Sequence, residues 1–251
     1  MKNHKICKIL LVILAIFLCV AFYELLGICV AYKKQPEVSN TTKKETKNGS
    51  WNECSENTER AVIIEKNPEA LLQRVRLIKN AKKEIILSTF AFQSDESGKL
   101  ILGALHDAAD RGVHIRLLVD GMESWIDMEG NPYFYGLSSH ENVEIKLYNK
   151  ANPLKPWKIM GRMHDKYLIA DGKRYILGGR NTYNYFLGDF PGHKNYDRDV
   201  LVVCDEPEKE NSVNQLLEYF ETIWEQEDSD YFHDNKKLAN RKSVKNAVLE
   251  L

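Results

Sequence analysis

Residues Ile9–Tyr23 are fifteen consecutive apolar or aromatic residues, and after Glu24 the apolar pattern resumes through Tyr32. A segment apolar on every side cannot sit on the surface of a water-soluble domain, so it constrains the chain more than any other feature. As a helix rising about 1.5 Å per residue, Ile9–Tyr32 is long enough to cross a hydrocarbon core of roughly 30 Å. Lys2, Lys5 and Lys8 precede it and Lys33 and Lys34 follow. Both flanks are basic, so the lysines do not set its orientation. Residues 1–34 read as a membrane anchor, favoured by span length over a cleaved signal with its core at Ile9–Tyr23 and Cys29-Val30-Ala31 as cleavage site. The signal-like design places the following domain on the non-cytoplasmic side. Residues 35–59, rich in Lys, Thr, Asn, Ser and Glu, read as a flexible tether, leaving 60–251 as the folded lobe.

The net charge of −1 hides an asymmetry. Residues 1–50 carry eight Lys against three Glu, while 51–251 carry 27 basic and 33 acidic residues. An acidic lobe argues against a non-specific polyanion binder. Cys7, Cys19 and Cys29 lie in or beside the apolar segment, leaving Cys54 and Cys204 for the rest. Two cysteines make no disulfide framework and have no metal-ligand spacing; two separate thiols are favoured over a Cys54–Cys204 bridge.

Across the lobe, strands are expected at Ala61–Ile64, Glu84–Phe92, Val113–Asp120 and Asn142–Tyr148. A helix capped by Asn67 with Pro68 at its first position carries an apolar face of Leu71, Leu72, Val75, Ile78 and Ala81. A second helix, Leu100–Arg111, stops at Gly112. Alternating strands and helices indicate an α/β fold, with a mixed, largely parallel sheet flanked by helices and preceded by one transmembrane helix. A loop, Asn149–Met163, leads to a hairpin of Lys166–Ala170 and Arg174–Leu177 about an Asp171-Gly172 turn. A loop over Phe186–Asp197, a strand Val200–Cys204, a helix Pro207–Trp224 and a terminal helix from Val244 complete the pattern.

The stretch that carries chemistry is Met163–Asn181, MHDKYLIADGKRYILGGRN. His164, Lys166 and Asp171 stand in the pattern H-x-K-x(4)-D, and Gly178, Gly179 and Asn181 in G-G-x-N. In extended chain, residues i and i+2 share a face, so His164 and Lys166 project together. An ammonium beside an imidazole suits phosphoryl transfer: Lys neutralises phosphoryl oxygens while His attacks phosphorus or moves a proton. Asn181 adds an amide donor, and the glycine pair, Gly179 included, lets backbone approach a ligand. Residues 146–180 hold nine basic side chains, among them Lys146, Lys173, Arg174, Arg162 and Arg180, against Asp165 and Asp171, and read as an anion-attracting rim. Trp157, Tyr183, Tyr185, Phe186 and Phe190 flank the motif, as contacts for acyl chains or bases or as core.

Together with the D-R-D-V-L-V-V run at 197–203, these residues resemble the phospholipase D superfamily, and within it the bacterial cardiolipin synthase and phospholipase D-like group. The resemblance covers about residues 60–251. It implies that His164 is a nucleophile forming a phosphohistidine, that Lys166 and Asn181 hold the phosphate, and that an acid leading into the next strand fixes the histidine tautomer. Asp199 is the candidate for that acid, with Asp197 its competitor; Asp171 is the motif aspartate, in a structural contact. The resemblance implies no metal and no cofactor.

The family builds its site between two lobes with one motif each, and this chain has one motif. No other histidine is followed two residues later by lysine. The resemblance therefore implies a phospholipid substrate at a membrane and a second lobe or a homodimer partner to complete the site. The alternatives are a homodimeric endonuclease acting on nucleic acid, which the acidic lobe disfavours, and a non-catalytic partner lobe.

Overall fold

The computed structural model describes residues 2–33, 38–41, 43–44, 59–206, 211–233 and 236–251. Most of the expected tether, and Cys54 with it, lies outside the described residues. The chain divides into two compact units: Met1–Ser55 with Ala151–Arg162, and Glu56–Lys150 with Met163–Leu251. The expected lobe is thus interrupted by the 151–162 loop, which groups with the N-terminal segment.

The first unit is built on helix α1 (Lys2–Lys33). Its span Lys5–Lys33 is long and apolar enough to cross a membrane, and its most apolar stretch is not buried in protein. The 151–162 loop contains one short 3-10 turn, Pro156–Lys158.

The second unit is an eight-stranded mixed sheet flanked by helices. In chain order it contains β1 (Glu59–Ile64), α2 (Asn67–Asn80), β2 (Glu84–Thr89), α3 (Glu96–Asp110), β3 (His114–Asp120), α4 (Gly121–Asp127), α5 (Pro132–Ser138) and β4 (Val143–Tyr148). There follow β5 (Lys166–Ala170), β6 (Arg174–Gly178), β7 (Asp199–Cys204), α6 (Ser212–Trp224), β8 (Ser229–Tyr231), α7 (Lys236–Ala239) and α8 (Lys242–Glu250). The strand order is β1-β7-β6-β5-β2-β3-β4-β8. Only β2–β3 and β3–β4 are parallel; the other pairs are antiparallel. Antiparallel pairing therefore exceeds the sequence expectation. The reason is local: after β4 the chain builds its remaining strands by hairpin and return rather than through crossover helices.

Period-two alternation buries both faces of the sheet. Ile85, Leu87, Ile115, Leu117 and Leu168 face one layer, with Leu71 and Ile78 of α2, Leu102 and Leu105 of α3, and Phe134 of α5. Their neighbours Ile86, Leu118 and Ile169 face the other, with Val213, Phe220 and Trp224 of α6. Two details of α2 differ from expectation. Its N-cap is Lys66, without a side-chain cap, because Asn67 is turned to bond Asn195 O and Arg180. Its buried face runs through Ala70, Leu71, Arg74, Leu77 and Ile78, and Leu72 is exposed. The short helices α4 and α5 were not foreseen: two turns give no readable periodicity, although Asn131 before Pro132 is an N-cap signal.

The β5–β6 turn has Asp171 at φ 55° and Gly172 at φ 61°, the left-handed pair that such a hairpin requires. The Asp171 carboxylate accepts from the backbone N–H groups of Lys82, Lys83 and Glu84 at 2.7–3.1 Å. This staples the turn to the start of β2 and holds the register of β5 on β2. Asp171→Ala is expected to cost about 2 kcal/mol, since three donors lose a charged acceptor, while folded protein keeps its turnover. Chemical denaturation followed at fixed activity per folded molecule checks both halves.

Candidate active site

The motif residues meet at one edge of the sheet. Lys166, the first residue of β5, pairs with Thr89, the last of β2. Gly178, the last of β6, pairs with Asp199, the first of β7. This edge lies at the carboxyl ends of the parallel strands, where β2 has its crossover partner β3 on one side and β5 on the other. Open α/β sheets leave a crevice at such a switch point.

His164 precedes β5 in extended chain and is exposed. Its ring lies 4.5 Å from that of Phe90, centroid to centroid. The Lys166 ammonium stands 5.1 Å from the same Phe90 ring and donates to the His164 carbonyl at 2.7 Å. Imidazole and ammonium thus converge on one aromatic ring, and two N–H donors of Lys166 remain for other oxygens. Lys166 is buried, and burial pushes its pKa down to about 8, against the opposing fields of Asp165, Asp197 and Asp120.

Three acids frame the pair. Asp120, fully buried, caps α4 by accepting from Met122 and Glu123, and its other oxygen accepts from the Met163 N–H at 3.2 Å. It anchors the backbone immediately before His164. Asp165 accepts from the Tyr219 hydroxyl at 2.8 Å. Asp197 crowds Gly179, where a Cβ would stand 1.9 Å from its carboxylate; Gly179 therefore serves this packing.

Asn181 is buried beside the end of β2, its Oδ1 accepting from Ala91 N–H at 3.3 Å, which leaves the amide as donor. A parallel bridge between Phe92 and Thr182 and the Thr182–Thr89 hydroxyl bond hold this segment in place.

Other expected site residues lie elsewhere. Asp171 is at the opposite end of β5, five residues and about 16 Å from Lys166, so it cannot touch a substrate held there. Arg180 is 1% exposed and donates to Ile64 O, Glu65 O, Asn67 Oδ1 and Asp197 O. It ties the start of α2 to the segment before β7 and cannot bind a substrate. Asp199 is ion-paired through Oδ2 with Arg74 at 2.8 Å and Arg180 at 3.2 Å, and its Oδ1 is buried without a hydrogen-bond partner. The arginine clamp holds Oδ2 of the carboxylate expected to orient His164, and Asp197 is, with Asp165 and Asp120, an acid whose field reaches Lys166. Arg162 belongs to the unit of α1. The expected basic rim disperses: Lys146 is buried against Trp224 O, and Lys173 and Arg174 are at the far end of the hairpin. Tyr183, Tyr185, Phe186 and Phe190 join the core, whereas Trp157 is exposed. Phe90 reads in the sequence as one more core aromatic and Asp120 carries no motif of its own, while Asp197 stands there only as the competitor of Asp199. Among the described residues, no group of three or more His, Cys, Asp or Glu is placed to hold a metal ion.

Asp199→Ala is expected to cost about 3–5 kcal/mol by stranding two buried guanidinium groups. Asp197→Asn is expected to leave the melting temperature unchanged and to slow turnover about tenfold or more. Parallel thermal and kinetic measurements on the two variants separate clamp from site.

Residues 74–224 match the family model described as cardiolipin synthase, PLD-like domain. Cardiolipin synthase C of Escherichia coli is 29% identical over 171 residues, covering 62% of this chain and 34% of that protein. The chain spans about a third of the length of the curated relatives it matches. Among solved structures, Nuc from Salmonella typhimurium, a phospholipase D family member, aligns with a TM-score of 0.52 at 17% identity, covering 70% of this chain and 99% of Nuc. Phosphatidylserine synthase of Haemophilus influenzae aligns with a TM-score of 0.58 at 18% identity, covering 84% of this chain and 47% of its own.

Proposed function

Because the chain belongs to the phospholipase D-like family that contains the cardiolipin synthase domain, we propose that it is a phosphodiesterase or phosphatidyltransferase acting on phospholipids, with His164 as nucleophile. The observation that carries this reading is the convergence of His164 and Lys166 on Phe90 at the sheet edge. Neutral His164 attacks phosphorus, the phosphorus–oxygen bond to the headgroup alcohol breaks, and a phosphohistidine holds the phosphatidyl group. The Lys166 ammonium and the Asn181 amide bind the non-bridging oxygens as charge builds on them. Water or a second alcohol then attacks phosphorus and releases His164.

The departing alcohol needs a proton, and the one motif in this chain commits its histidine to attack. A second phospholipase D-like lobe, either another chain or a second copy of this one, supplies the donor across the exposed sheet edge. Symmetric pairing through that edge sets two His164 side chains opposite each other. A homodimeric nuclease is the second reading, because this chain carries one motif. The α1 span supports a membrane location, with the lobe on the non-cytoplasmic side.

Turnover of phosphatidylglycerol vesicles by the full chain tests the reading, with single-stranded DNA as the competing substrate. Wild type is expected to release headgroup, and His164→Ala to lose at least about 10³-fold in rate. The rate is expected to fall as pH rises through about 8, where Lys166 loses its proton. Lys166→Arg, which keeps its charge, removes that falling limb at the cost of a lower rate. Cleavage of DNA with phospholipid untouched would replace the first reading with the second.

A further inference from the structure

The 151–162 loop does not pack as an ordinary surface loop. Within its unit it lies against α1. The Tyr23 hydroxyl donates to Leu154 O at 2.9 Å. One turn further along the same helix face, Gly27 is buried, and a Cβ there would stand 2.4 Å from Pro156 Cγ and 3.2 Å from the Trp157 backbone nitrogen. Only a glycine allows this approach, as small residues do where backbones meet inside membranes. The loop is braced internally by Leu154 N–H to Asn152 Oδ1 at 2.9 Å and by Lys158 N–H to Lys155 O at 3.0 Å.

What the loop turns outward is apolar: Leu154 is 78% exposed, Met160 53% and Trp157 46%. Lys155, Lys158 and Arg162 alternate with these residues. A cluster of aliphatic and indole side chains interleaved with cations is costly in water. It matches the boundary between acyl chains and anionic headgroups, where indole rings and basic side chains both reside. The position of the dock agrees. Gly27 lies six residues, or about 9 Å, along α1 from Lys33, within the depth that interfacial segments reach below the headgroups.

We propose that residues 151–162 form a membrane-inserting loop, docked on the Tyr23–Gly27 face of the anchor helix, that binds anionic phospholipid. The loop runs in sequence directly into Met163 and His164. It therefore ties the reacting motif to the lipid surface by a second attachment besides the anchor. The proposal goes beyond the catalytic reading and does not need it, because insertion is measured without turnover.

The test uses the full chain in vesicles of phosphatidylcholine and phosphatidylglycerol with brominated or ordinary acyl chains. Fluorescence lost in Trp157→Phe isolates the signal of Trp157, and Trp125→Phe isolates that of Trp125, an exposed residue of the other unit. Brominated chains are expected to quench Trp157 at least about threefold more than Trp125. Gly27→Leu is expected to bring the two to the same level while the chain stays with the vesicles. Quenching of Trp157 by aqueous iodide instead of bromolipid, or by neither quencher as at a protein contact, overturns the proposal. Unchanged quenching in Gly27→Leu overturns the docking. Loss of turnover in His164→Ala with bromolipid quenching intact separates this proposal from the chemistry.

Discussion

The register of β5 between β2 and β6 is the constraint on which the site depends. Thr89 opposite Lys166 puts the ammonium at the carboxyl edge of the sheet. Five residues on, Asp171 accepts three backbone N–H groups at the start of β2. A slip of one residue would exchange the faces of β5, moving Leu168 from the α2–α3 layer to the α6 layer and Tyr167 and Ile169 the other way. The motif aspartate has a structural place in the pattern: it holds one end of the strand whose other end carries the proposed reacting pair. Thr182 and Asn181 are positioned by the same strand pair, through the bridge to Phe92 and the bond to Ala91.

Charge is sorted around this edge in two tiers. Buried Arg74 and Arg180 share Asp199 and tie α2 and the segment before β7 to the sheet. Lys166 sits apart from that clamp, in the field of Asp165, Asp197 and Asp120, with its pKa pushed down by burial. A half-desolvated ammonium is a strong ligand for an anion, because the incoming charge restores the stabilisation that water had supplied. The acids favour the charged lysine, and the Met163 N–H bond to Asp120 fixes the backbone from which His164 projects.

Much of this was legible in the residues. The H-x-K-x(4)-D and G-G-x-N spacings located the hairpin, its turn and the two side chains that meet at Phe90. The β-branched and aromatic run Glu84–Phe92 and the alternation of Val113–Asp120 located the sheet centre. What was not legible had a tertiary cause. Asp199 and Asp197 differ only by position in a D-R-D triplet, and the choice between them rests on Arg74 and Arg180, one of which is 125 residues distant. Arg180 reads as a basic residue beside a motif, yet it is core. Asn67 reads as a cap, yet its side chain serves Arg180 and Asn195. The aromatics after the motif fill the α2–α3 side of the sheet, and the one left exposed, Trp157, belongs to the loop that lies on α1.

The apolar helix and the loop laid on it are the observations behind the proposal of a lipid substrate at a membrane. The central claim is that His164 forms a bond to phosphorus. Brief incubation of the full chain with phosphatidylglycerol, acid-free denaturation and mass spectrometry of the peptide that spans Met163–Lys166 tests it most directly. The account predicts a phosphatidyl adduct on His164 that disappears on mild acid treatment and is absent from Lys166→Ala. An unmodified peptide from protein that is releasing headgroup, or an adduct on another residue, would contradict it.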